Sequence, residues 1–255
     1  MRNIDFVGHK KWYLGISGAL LLMGLVFLGL FGLKFSIEYT GGSRFIYSYK
    51  NNQDISKLEN VIENTKADVV FIRDDKEDRQ IIVRTQVLSQ AQKNEVTKAV
   101  NTNFKNLVEE SFETVGPTIG NETKQNAVKA VVIASFAIMA YIAFAFREVS
   151  KPVASWKFGM AAIAALIHDV LVTIGIFAIL GRLFNVEVDP LFITALLTIM
   201  GFSVHDTIVV FDRIRENLKK NTNRSFGEVV NNSLMETLTR SLRTSLTVVL
   251  VLISL

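Results

Sequence analysis

The chain has 255 residues, 49% of them hydrophobic and 20% charged, with a mean hydropathy of +0.31. That is high for a soluble domain and low for a chain that is all membrane, so membrane spans plus a solvated domain fit best. With no cysteine, three histidines and no spaced ligand set, disulfides, thiolate metal sites and cysteine nucleophiles are excluded. A soluble or metal enzyme has no support, and no cofactor is expected.

Charge is distributed unevenly. The formal net charge is +4, yet residues 34–120 hold 12 Lys/Arg against 13 Asp/Glu, out of totals of 28 and 24. The basic surplus therefore lies beside the apolar runs, where it reads as a topology signal rather than a nucleic-acid surface.

Residues 1–11 precede the first apolar run, Trp12–Leu33, whose 22 uncharged residues are long enough to cross about 30 Å of hydrocarbon. It has no small-residue cleavage site, so it reads as a retained span. Glu38, Gly41 and Gly42 follow at its outer mouth, and the paired glycines suit a tight span-to-strand junction. A direct grip on substrate is the alternative reading.

Residues 34–120 predict a small α+β domain. Arg44–Tyr49 is strand-like, Ile55–Thr65 is an amphipathic helix, and Asp68–Ile72 and Gln80–Thr85 form a hairpin across the charged "RDDKEDR" turn. Ser89 caps a second helix through Phe104, and Leu107–Val115 is extended. The order β-α-β-β-α-β is the ferredoxin-like split motif.

Further apolar runs span residues 127–146, 158–180 and 190–211. Residues 212–236 read as a basic loop and amphipathic helix, and 237–255 as a fifth, incomplete span. From Ser245 the last stretch covers only about 16 Å as a helix, so the chain reads as truncated at its C-terminus. Lys/Arg in the short loops (Arg2, Lys10 and Lys11; Arg147, Lys151 and Lys157; Arg213, Arg215, Lys219, Lys220 and Arg224) alternate with the poorly basic third-to-fourth loop. This predicts a cytoplasmic N-terminus and an extracytoplasmic segment 34–126. The fold class expected is an α-helical multi-span membrane protein with an inserted α+β ferredoxin-like extracytoplasmic domain.

Two polar pairs interrupt the apolar runs. His205 and Asp206 lie in the fourth span, where a centrally placed Asp costs about 2.5–3.5 kcal/mol on insertion scales. Asp206 reads either as a proton carrier or as a wet residue near the inner interface. His168 and Asp169 lie near mid-membrane in the third span and read equally as a proton wire or as structural groups bonded across helices to Ser203 or Thr207.

"IEYTGGS" after the first span, "VGPTIGNE" before the second, "AALIHDVLVTIG" in the third and "GFSVHDTIVVFDRIRENL" in the fourth resemble SecF, of the SecD/SecF family of protein-export membrane proteins. The resemblance covers nearly the whole chain. It departs from the family at Glu38, where an Asp is usual, and at His205, where an Asn is usual. Its superfamily, resistance-nodulation-division, implies proton-driven conformational cycling. Six spans are usual, so the sixth would be absent here.

The resemblance also implies that Arg240 stands opposite Asp206, holding it ionised and releasing it as the helices separate. An i,i+4 pair with Glu236 is the alternative for Arg240. The partners implied are a SecD-like subunit, the Sec translocation channel, an exported unfolded polypeptide and the lipid bilayer of the cytoplasmic membrane, with no nucleic acid. Competing readings are a proton-coupled exporter of small molecules or lipids, and a scaffold subunit without proton flux.

Overall fold

The computed structural model describes residues 4–50, 54–145, 155–220 and 223–254. Arg2, Arg147, Lys151 and the ends of the second and fifth runs at Phe146 and Leu255 lie outside them. The chain divides into two compact units: residues 33–130 with 180–193, and residues 1–32, 131–179 and 194–255.

The first unit carries the sheet. Strands β1 (Gly42–Tyr49), β2 (Val69–Asp75), β3 (Gln80–Thr85) and β4 (Leu107–Val115) pair antiparallel in the order β2-β3-β1-β4. Helices α3 (Ile55–Glu63) and α4 (Gln90–Asn103) complete the ferredoxin-like motif expected from the sequence. Local chemistry sets the helix starts. Asp54 accepts from the Lys57 amide, and Ser89 and Gln92 form a reciprocal capping box. Alternation in β1 and β3 turns Phe45, Tyr47, Ile81 and Val83 inward onto Leu58, Ile62, Val96 and Val100, all at most 1% exposed.

Between the first apolar helix, α1 (Lys10–Phe31), and the sheet stands a short helix, α2 (Ile37–Thr40). The apolar run predicted to 33 stops two residues earlier as helix, because Gly32 leaves it at φ 68°.

The long helices are α5 (Pro117–Ala145), α6 (Ser155–Phe184), α7 (Pro190–Lys220) and α8 (Phe226–Ser254). Each extends beyond the apolar run that marks it. Residues 117–126 are helical because Pro117 takes the first helical position, where its missing N–H costs nothing. The basic segment after residue 211 continues as helix through Lys220, with Arg213, Glu216 and Lys220 paired at i,i+3 and i,i+4. Among the described residues, α1, α5, α6 and α7 are long and apolar enough to cross a membrane. In the second unit Ile142 of α5, Phe158, Ala162 and Leu166 of α6 and Met200, Val204 and Ile214 of α7 form the buried cluster.

Candidate functional site

Helices α1 and α6 touch at two levels. Ser17 Oγ lies 2.5 Å from His168 Nε2, at a sequence separation of 151. Gly24 and Gly175, seven residues further along each helix, meet so closely that a Cβ on Gly24 would stand 2.8 Å from the Gly175 Cα. The constant offset means that the two helices run parallel, and the glycines remove the side chains that would hold the backbones apart.

From that contact a polar line enters α7. His168 Nδ1 lies 2.9 Å from Asp169 Oδ1, and the Ser203 hydroxyl donates to Asp169 Oδ2 at 2.6 Å. Of the two partners expected for the pair, Ser203 is therefore the one used. Asp206 stands three residues along α7, on the face that carries Ser203. Asp206 is half-buried, and its neighbour His205 is exposed.

Asp206 and Arg240 are not joined by an ion pair in this structure. Arg240, on α8, lines a cleft of about 310 Å³ together with Val209, Asp212 and Glu236. Val209 is one helical turn beyond Asp206. The i,i+4 pair of Arg240 with Glu236 does not form either, since Glu236 accepts from the Arg213 guanidinium and, at 2.8 Å, from Asn217 Nδ2. Asn217 is buried and also donates to Ser233 Oγ at 3.0 Å. This α7–α8 tie was not legible in the sequence, where 212–220 reads as a positive-inside anchor.

In the sheet unit the glycine motifs meet one another. Gly41 has φ 73° and Gly42 φ 129°, conformations that a side chain disfavours. A Cβ on Gly120, in the first turns of α5, would fall 2.7 Å from the Gly41 amide nitrogen. "YTGG" and "VGPTIG" thus form one close-packed junction. Glu38 pairs with Arg44 at 3.2 Å, and Arg44 also pairs with Glu113.

A second polar centre beside that junction has no signal in the local sequence pattern. Arg84 of β3, 8% exposed at its side chain, donates to the Phe35 carbonyl at 2.7 Å, to the Thr40 hydroxyl and to the Glu187 carboxylate. Burial raises the Glu187 carboxyl above the usual carboxylate range, against the opposing pull of Arg84, Lys34 and Arg44. Burial also lowers the Lys34 ammonium. Among the described residues, no cluster of His, Asp or Glu has the arrangement of a metal site.

Helices of membrane-spanning length, an inserted ferredoxin-like sheet and acidic groups on the helices define a class: a multi-span membrane protein with an appended α+β domain. Comparison with known proteins narrows it. Residues 92–255 match the family model described as protein export membrane protein SecD/SecF, C-terminal. The chain is 38% identical to the protein translocase subunit SecF of Thermobaculum terrenum, over 99% of this chain and 82% of the relative. It is 34% identical to SecDF of Bacillus subtilis, over 98% of this chain and 33% of that longer protein. The crystal structure of Thermus thermophilus SecDF, a translocon-associated membrane protein, superposes with a TM-score of 0.82 at 32% identity, covering 96% of this chain and 32% of that one. The chain belongs to the SecD/SecF family of protein export membrane proteins, and it spans about a third of the SecDF chains it matches.

Proposed function

We propose that this protein is a SecF-like subunit of the Sec export machinery in the cytoplasmic membrane, and that proton passage through its helices drives motion of the outer domain to promote polypeptide translocation. Relatives in which SecD and SecF are one chain support a SecD-like partner here. The Sec translocation channel and an unfolded exported polypeptide follow from the same reading. The parallel course of α1 and α6 supports the alternation of the spans, and the basic loops are the ground for reading the N-terminus as cytoplasmic and residues 34–126 as outside.

The observation that carries the proton reading is the hydrogen-bonded line His168–Asp169–Ser203, with Asp206 three residues beyond Ser203. Ionisable groups on apolar helices are costly, and such groups mark proton and ion pathways. One elementary charge moved through 100 mV supplies about 2.3 kcal/mol. Asp206 is the carrier in this reading, and Arg240, which lines the α7–α8 cleft together with Val209, is the cation it meets when the helices shift. A guanidinium keeps its charge throughout, so the proton resides on the carboxylate.

Export of a reporter protein by membranes under a proton gradient tests this, using Asp206→Asn and Arg240→Met in the full-length protein. Normal insertion with loss of gradient-dependent export is the expected result. Undiminished export from both variants would leave a scaffold subunit whose Asp206 is hydrated.

A further inference from the structure

Helices α6 and α7, which carry Asp169 and Asp206, are joined by a short turn, and that turn is fastened to the sheet unit at several points. Asn185 ends α6 at φ 55°, and its side chain accepts from Lys34 Nζ at 2.7 Å. The next residues run extended beside the segment before α2. Phe35 and Val188 form a parallel bridge, with Val188 N–H donating to the Lys34 carbonyl at 2.7 Å and Ser36 N–H to the Val188 carbonyl at 3.0 Å. Asp189 then caps α7 by accepting from the Phe192 amide, and Pro190 opens the helix.

Arg84 lies across this bridge. One side chain on the interior strand β3 reaches the Phe35 carbonyl, Thr40 of α2 and Glu187 of the turn. Val188 and Ser36 are each 1% exposed. A buried ion pair adds little net stability, but removing one partner leaves an uncompensated charge and is strongly destabilising. An assembly of backbone pairing, a buried fork and buried flanks is therefore built to stay shut.

We propose that Arg84 is a positioning residue: it holds the 186–189 turn as a permanent strap on the outer domain, so that displacement of α6 and α7 is passed to that domain. The idea rests on the proton-driven reading above. It differs from a proton role, because Arg84 touches none of the groups on the polar line and acts only through the turn.

The test uses the full-length protein in membrane vesicles and reads two quantities, proton flux and gradient-driven export. Arg84→Met is expected to keep the flux and to reduce export about tenfold, within the range that coupling between sites takes. Arg84→Lys, which keeps the charge but loses the fork, gives an intermediate export rate with full flux. Because the chain has no cysteine, the strap can be replaced covalently. In the Arg84→Met background, Phe35→Cys with Val188→Cys is expected to regain export on oxidation and to lose it on reduction.

Normal export by Arg84→Met overturns the proposal, as does joint loss of flux and export, or a cross-link that forms without restoring export. An oxidised Phe35→Cys/Val188→Cys pair that blocks export in the otherwise unaltered protein also overturns it, since the strap would then have to open. Failure of the proton reading shows separately, as Asp206→Asn leaving both flux and export unchanged.

Discussion

The sheet unit buries Phe45, Leu58, Ile62, Ile81, Val83, Val96 and Val100 completely, from four different elements. In the helical unit α1 has Gly24 as its one buried residue among those described, and Leu14, Leu22 and Leu30 are 65–72% exposed. Water explains the difference. The sheet domain gains free energy by removing apolar area from water, roughly 25 cal/mol per Å². Between membrane helices lipid is as apolar as leucine, so association depends on close backbone approach and a few hydrogen bonds. Gly24–Gly175 and Ser17–His168–Asp169–Ser203 are those two devices in this protein.

Substitutions that respect this contrast should separate by size. Phe45→Ala is expected to destabilise the sheet domain by about 3–5 kcal/mol, read as a lower urea concentration for proteolysis of residues 34–120 in the full-length protein. Leu22→Ala should leave that midpoint unmoved, and an equal effect from both would erase the distinction. Next in size, Gly175→Ala places a Cβ 2.6 Å from the Gly24 Cα, where backbone has to shift, at a cost of about 1–3 kcal/mol. A lower melting temperature in detergent measures it, with Gly15→Ala, which meets nothing within 4 Å, as the neutral control.

Ser203→Ala sharpens the comparison from the polar side. A hydrogen bond between membrane helices averages about 0.6 kcal/mol, so its melting shift should be several times smaller than that of Gly175→Ala. Combined with Asp169→Asn it should show non-additivity, whereas additive shifts would mean that the bond contributes nothing. The smallest effect concerns pH. Burial holds the Glu187 carboxyl above its unfolded value, so the folded domain binds the proton more tightly than the unfolded chain. Its stabilising contribution is present in full below the ordinary carboxylate pKa and is lost as pH rises through the raised one. Glu187→Gln should flatten that part of the pH–stability curve, and an unchanged slope would assign it to another group.

Much of the sheet unit is legible in the sequence because its signals are local. The period-two pattern in β1 and β3, the Ser89 cap and the charged hairpin turn each act over a few residues. Helix ends were less legible. Hydropathy marks where lipid is tolerated, while the helix itself continues wherever capping and i,i+4 pairs support it, as at Pro117 and along Arg213–Lys220.

The candidate site divides in the same way. Asp206, His168 and Asp169 stand out as charges in apolar runs, and the Ser203 partner could be anticipated. Ser17 could not, because a serine in a first span is unremarkable until His168, 151 residues away, is brought to it. Arg84 reads as an ordinary solvent-facing strand residue, since the alternation of β3 puts it opposite Ile81 and Val83.

By itself, then, the sequence determined the element order, the apolar helices and the carboxylates that lipid would exclude, all set by short-range periodicity and by solvation of single side chains. Tertiary structure alone decided which of these meet: α1 along α6 through a pair of glycines, Asp169 with Ser203, and the buried fork of Arg84 across residues 35 and 187. Those contacts depend on segments distant in the chain covering one another, and burial of that kind leaves no mark in local pattern.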